Sequence, residues 1–321
     1  MDIKTRTNDL GEPYFVTGSN TYTRRAVQSI KDQMAKDGIS FNTKPSQPFS
    51  HTSYGAELDT SSLCDATSSI YYMQLIGILR WLCELGRVDI LYETSILSRY
   101  CVQPRTGHLH QLLHVVHYLD KHNSSWLPID TRTLNIQWNG ENGPSPWNRA
   151  QFMKEIYPEA REDIPHDMPE PFGTPLQINS FVDADHAGDK VIRRSQTGIS
   201  IFCNRTLINW SSKKQNTFET STFGSEMIAL KNATEMIISL RHKLRSFGVP
   251  IDGEANIFCD NDAVAKSTSN AESSLKKKHC SVAYHRIRES AASGIIIVLY
   301  ESSATNLADL LTKSLPSLER K

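Results

Sequence analysis

Acidic residues set at the ends of otherwise apolar elements are the first sign of chemistry in this sequence. The stretch Ile178–Asp185 reads INSFVDAD and delivers Asp183 and Asp185 just before the turn HAGDK. Alone, a strand-end pair of aspartates reads as the opening of a polar turn. Three further acidic positions stand at comparable places: Glu226, Asp260 and Asp309. Carboxylate oxygens gathered at one end of a sheet invite a hard divalent cation such as magnesium, which takes oxygen ligands and keeps waters or phosphate oxygens in its remaining positions.

The elements that must position these groups are legible in the periodicity. Alternation puts Asn179, Phe181 and Asp183 on one face of a strand and Ser180, Val182 and Ala184 on the other. Glu226 lies in the first turns of an amphipathic helix whose apolar positions are Leu230, Ala233, Ile237, Leu240 and Leu244. Asp260 ends the apolar strand Ala255–Asp260, and Asn261-Asp262 then supplies good N-terminal chemistry for a helix. Asp309 lies in NLADLL, where Leu307, Leu310 and Leu311 form an apolar stripe and leave Asp309 on another face. Residues 197–204 and 206–211 form successive strands joined by a tight turn at Asn204-Arg205. A helix over 277–293 then precedes a β-branched strand over 295–301. Strands first, then alternating helix and strand, predict an α/β domain with a mixed five-stranded sheet and flanking helices.

These residues also carry a resemblance. FVDADHAGDK, RRSQTGISIF, INWSSKKQ, GSEMIAL, IFCDNDAV, KKHCSVAYHRIRE and TNLADLLTK, in order from about Pro175 to Ser314, resemble the ribonuclease H domain of copia-type LTR retrotransposon polyproteins. The resemblance implies an RNase H-like fold and cleavage of the RNA strand of RNA–DNA hybrids. It makes Asp183, Glu226, Asp260 and Asp309 the catalytic, metal-binding carboxylates. Two Mg2+ ions are implied, with Mn2+ as a substitute; such a pair activates the attacking water and stabilises the leaving oxygen of an in-line displacement. Asp185 is not a core ligand in the family pattern and is expected to support the turn. Some relatives carry a histidine near the segment Glu301–Thr305; this chain has none there.

Composition places the chain among ordinary globular proteins of about two domains. It has 321 residues, 39% hydrophobic and 22% charged, with a formal net charge of zero. No apolar run approaches a membrane span, and the start MDIKTRTNDLGEP lacks a secretory apolar region, so an intracellular location, cytoplasmic or nuclear, is expected. The six cysteines form no CxxC pair and read as structural thiols. Charge is uneven: residues 1–174 hold 16 Lys+Arg against 20 Asp+Glu, and residues 175–321 hold 19 against 15. The basic clusters Lys213-Lys214 and Lys276-Lys277-Lys278, with His279, are candidate contacts to a nucleic-acid backbone. A hybrid-specific protein must touch the RNA 2′-OH, which polar groups on strand and helix edges can do without reading bases. His110, His114 and His117 share helical spacing but lack further ligands nearby, and are expected to flank an apolar stripe; Trp81 is expected to fill a core.

The N-terminal region reads as mainly helical. A short strand over 12–16 and a helix over 20–36 lead to a polar loop, then to helices over 69–85, 89–100 and 108–121. YYMQLIGILRWLCELGRVDI and LSRYCVQPRTGHLHQLLHVVHYLDKH resemble the thumb and connection that follow the polymerase palm in copia-type reverse transcriptases. The family's polymerase signature is Tyr-x-Asp-Asp, and no Asp-Asp dipeptide occurs here, so polymerisation by this chain alone is not expected. The expected organisation is a thumb/connection-like region over 1–122, a connector over 123–174 with a short strand at 134–138, and an RNase H-like domain over 175–321. The functional expectation is a hybrid ribonuclease acting with an RNA–DNA hybrid and the remainder of a reverse transcriptase, and with no membrane. The alternative is an inactive or co-opted fragment that binds nucleic acid or serves as a structural part of a larger enzyme.

Overall fold

The computed structural model describes the chain except for residues 9, 10, 37, 39–44, 135–153, 271, 272, 274, 276, 277 and 317–321. Its contacts divide into two units. One comprises residues 1–129, 189–193 and 310–321; the other comprises 130–188 and 194–309. The expected connector strand at 134–138 lies almost wholly outside the described residues.

In the first unit, β1 (Asp2–Thr7), β2 (Pro13–Gly18) and β3 (Leu127–Ile129) form an antiparallel sheet in that order. Four helices follow the expected spacing: α1 (Asn20–Lys36), α2 (Ala66–Glu84), α3 (Leu91–Leu97) and α4 (Thr106–Lys121). Asp65 caps α2 by accepting from the Ser68 amide at 2.7 Å. Their apolar stripes meet in one core: Val27 and Ile30 of α1, Leu75, Leu79 and Leu82 of α2, and Leu112 and Val116 of α4. The helix expected over 89–100 is shorter, with 3-10 turns at Val88–Ile90 and Ser98–Tyr100 flanking the seven residues of α3. Trp81 departs from expectation: it is 52% exposed on α2, in a stripe with Ile70 and Met73. The core-facing side of α2 is already filled by Tyr72, Leu75, Leu79 and Leu82, and Trp81 lies off that side.

The second unit is built on a five-stranded sheet. Its strands are β4 (Ile178–Asp185), β5 (Gln196–Cys203), β6 (Thr206–Lys214), β7 (Ala255–Cys259) and β8 (Ile296–Tyr300), in the order β6-β5-β4-β7-β8. The β6-β5-β4 half is antiparallel and β4-β7-β8 is parallel. This is the mixed sheet the periodicity predicts. The helices are α5 (Thr222–Ser246), α6 (Asp262–Ser269) and α7 (Ser281–Ala292). Asn204, at φ 55°, makes the tight β5–β6 turn, a conformation asparagine adopts more readily than most residues.

Alternation on β4 decides what covers each face. Ile178, Val182 and Ala184 join Ile199 and Ile201 of β5, Ala255 and Ile257 of β7, and Ala229, Leu230, Ala233 and Ile237 of α5 in the main core. The opposite face carries Phe181, stacked on Phe258 with centroids 4.9 Å apart, together with Asp183. Part of the expected connector belongs to this unit: Glu162 receives Arg241 Nε at 2.8 Å and Nη2 at 2.9 Å, and also binds Arg245.

Candidate active site

Three of the four expected carboxylates meet. Asp183, Glu226 and Asp260 each offer an oxygen, and these atoms all lie within 4.8 Å of one another. Each comes from a different element. Asp183 is the sixth residue of β4 and only 4% exposed, Glu226 lies in the second turn of α5 at 6%, and Asp260 follows directly after β7. Parallel pairing of β4 with β7, Val182 opposite Cys259, brings Asp183 and Asp260 to the same sheet end. Glu226 is held there by its own contact: its Oε1 accepts from the Ala184 amide at 3.2 Å. Ser221 starts the helix by accepting from the Gly224 amide, which fixes where Glu226 falls.

Asp309 lies in the segment after β8. It is not one of the three carboxylates whose oxygens lie mutually within 4.8 Å. Its segment, Leu307–Leu311, is a 3-10 helix rather than an α-helix. Three residues per turn put Ala308 and Leu311 inward and leave Leu307 53% exposed, which corrects the expected Leu307, Leu310 and Leu311 stripe. The segment is nevertheless tied to the site's own strand, because Asn306 Nδ2 donates to the Val182 carbonyl at 2.9 Å. Asp185 turns away into the following loop, where a Cβ on Gly188 would meet its Oδ2 at 1.7 Å.

A further group emerges that periodicity could not find. Ser303 donates its Oγ to Asp260 Oδ2 at 2.8 Å, so the turn after β8 does border the cluster. A serine in the run ESSATN carries no spacing signal. Beneath the cluster, burial first and then the Glu226 charge push the Cys259 thiol up to about 12, keeping it a neutral thiol. The donor chemistry suits a hard divalent ion: three carboxylates, two of them buried, supply oxygens only.

The basic candidates disperse. β6 runs on to Lys214, so Lys213 and Lys214 are strand neighbours whose side chains leave opposite faces of the sheet, not one loop patch. Lys276 and Lys277 lie outside the described residues, and Lys278 is exposed in a 3-10 turn before α7, which begins only at Ser281. His279 contacts Glu219, Nε2 to Oε2 at 3.3 Å. In the helical unit, burial holds His114 and His117 below the usual histidine range, and no metal-type cluster forms on them among the described residues.

No protein-family model matches the chain. Sequence comparison finds the retrovirus-related Pol polyprotein of transposon RE1 from Arabidopsis thaliana, 26% identical over 249 residues, or 78% of this chain and 14% of that protein. The chain has transposon Pol polyproteins among its relatives. That of transposon TNT 1-94 from Nicotiana tabacum is 24% identical over 283 residues, covering 86% of this chain and 18% of the relative. The chain therefore spans less than a fifth of the length of these Pol relatives. Among solved structures, the N-terminal RNase H domain of a Mycobacterium tuberculosis protein aligns with 43% of this chain and 91% of its own length, at 15% identity and a TM-score of 0.34. No helix among the described residues is long and apolar enough to cross a membrane.

Proposed function

We propose that the second unit is a metal-dependent ribonuclease that cleaves the RNA strand of RNA–DNA hybrids, as the RNase H part of a Pol polyprotein. The observation that carries this reading is the convergence of Asp183, Glu226 and Asp260 from two strand ends and a helix. They come from distant parts of the sequence, and burying acids without a partner cation is costly. Relatedness to transposon Pol polyproteins supports the same conclusion.

In this reading Asp183, Asp260 and Glu226 would hold the divalent ion through their carboxylate oxygens. Bound magnesium, or manganese in its place, supplies Lewis-acid activation of water and charge stabilisation at the phosphate. The chain's own groups do the positioning. Ser303 orients Asp260, the Ala184 amide orients Glu226, and Asn306 ties the segment that carries Asp309 to β4. Lys213, Lys214 and Lys276–Lys278 supply contacts to the phosphate backbone.

The test is cleavage of a labelled RNA–DNA hybrid with and without magnesium by the wild type and by Asp183→Asn. The substitution removes one ligand charge at nearly constant volume. Cleavage is expected to fall by about two orders of magnitude with an unchanged circular dichroism spectrum. Equal cleavage by the folded variant would overturn the assignment.

A second role is compatible with the first and rests on its own observation. Ile70, Met73 and Trp81 are each about half exposed on α2, in the region resembling thumb and connection. The occupant we assign to this stripe is another segment of the same polyprotein, namely the polymerase portion. Co-purification of the chain with the polymerase segment of a related Pol polyprotein is expected, and Trp81→Glu should abolish it; retention by the variant would remove the role.

A further inference from the structure

A second cluster lies within the same unit, of different chemical character. Glu219 Oε2, His279 Nε2 and Cys280 Sγ all fall within 4.8 Å of one another. The His–Glu separation is 3.3 Å and the Cys–Glu separation 4.0 Å. Zinc bonds run roughly 2.0–2.3 Å to nitrogen, oxygen and sulfur, which sets tetrahedral edges of about 3.3–3.5 Å between such ligands. The first separation already fits that edge. The second needs to close by roughly half an ångström.

Three further observations point the same way. Glu219 comes from a loop whose neighbours Asn216, Thr217, Phe218 and Thr220 are exposed, yet its side chain is only 6% exposed. An acid turned inward from a solvated loop needs a compensating cation. The chain also makes room for it: a Cβ on Gly224 would meet Glu219 Oε2 at 2.4 Å, so a larger residue there would displace the carboxylate. His279 presents its ring half-exposed beside a buried thiol.

We propose that Glu219, His279 and Cys280 form a zinc site distinct from the carboxylate cluster. Thiolate and imidazole favour zinc over magnesium, so the two sites select different metals by ligand softness. Three protein ligands leave a fourth position for water. Binding displaces the Cys280 thiol proton to solvent, which makes affinity rise with pH. The ion joins the loop before α5 to the turn before α7, and so braces the first turn of the helix that carries Glu226. None of this depends on the carboxylate cluster being catalytic.

The experiment is titration of the full chain with cobalt(II) as a spectroscopic substitute for zinc. One equivalent is expected to produce a thiolate-to-cobalt charge-transfer band in the near ultraviolet, displaced by added zinc. Cys280→Ser should abolish the band, and His279→Asn should weaken binding at least about tenfold. His279 is exposed enough to be replaced without unfolding; should Cys280→Ser lose its circular dichroism spectrum, Cys280→Ala and His279→Asn carry the test. Absence of the band in the parent chain, or a band and affinity unchanged in the folded variants, would overturn the site. Carboxylates give no such band, so this result is independent of whether the chain cleaves hybrids.

Discussion

At the scale of single residues, the acidic cluster shows what a sequence can and cannot announce. Asp183, Glu226 and Asp260 are legible because each ends or opens an element with a strong apolar pattern, and the pattern fixes where the element stops. Asp309 sits in five residues of 3-10 helix, too short for a period to register. Ser303 is invisible for a different reason: its contact to Asp260 arises from the path of a turn, not from any repeat. Ser303→Ala is expected to remove one hydrogen bond worth about 0.5–1.5 kcal/mol, a loss in hybrid cleavage of about tenfold or less. The comparison with Asp183→Asn separates a positioning group from a ligand; a Ser303→Ala chain as inactive as Asp183→Asn would show that the turn does more than orient Asp260.

At the scale of elements, helices with wide apolar stripes are read well from sequence and polar strands poorly. α1 falls on the expected residues, whereas β1 goes unanticipated because DIKTRT is exposed at five of its six positions and has no apolar alternation. The stretch Tyr157–Gly173 reads as a polar connector because it is acidic and rich in proline; its Glu162 is nevertheless clamped to α5. Burial opposes ionisation of Glu162, but hydrogen bonds and charge from Arg241 and Arg245 outweigh it and hold the carboxyl down at about 2. A carboxyl depressed on folding contributes stability that is complete above its unfolded value near 4.5 and is lost as pH falls toward 2. Urea unfolding of the wild type should therefore weaken across that window, by on the order of 2 kcal/mol after allowance for solvent screening. Glu162→Gln should flatten the acid limb, since it carries no titrating group; an identical acid limb in both chains would mean the clamp adds nothing.

At the scale of the whole molecule, the sheet order β6-β5-β4-β7-β8 is what converts scattered acids into one site, by setting β4 beside β7 in parallel. Three carboxylates held this close repel without a cation, so metal binding should stabilise the fold as well as enable chemistry. Millimolar magnesium is expected to raise the thermal midpoint by a few degrees, and Asp183→Asn should lose most of that response while starting from an equal or higher midpoint without metal. A midpoint indifferent to magnesium in the wild type would argue against a preformed ion site. The same sheet leaves β6 as an outer strand, and there the two lysines take on another meaning. Outer strands present unsatisfied amides and carbonyls that can template pairing with a second molecule. The register shift opposite Ile201 and Phe202 and the adjacent charges of Lys213 and Lys214, one toward each face, discourage such stacking of sheets edge to edge. Removing those charges to probe phosphate contact would also strip a guard against self-association, and the chain's solubility should be followed alongside its affinity.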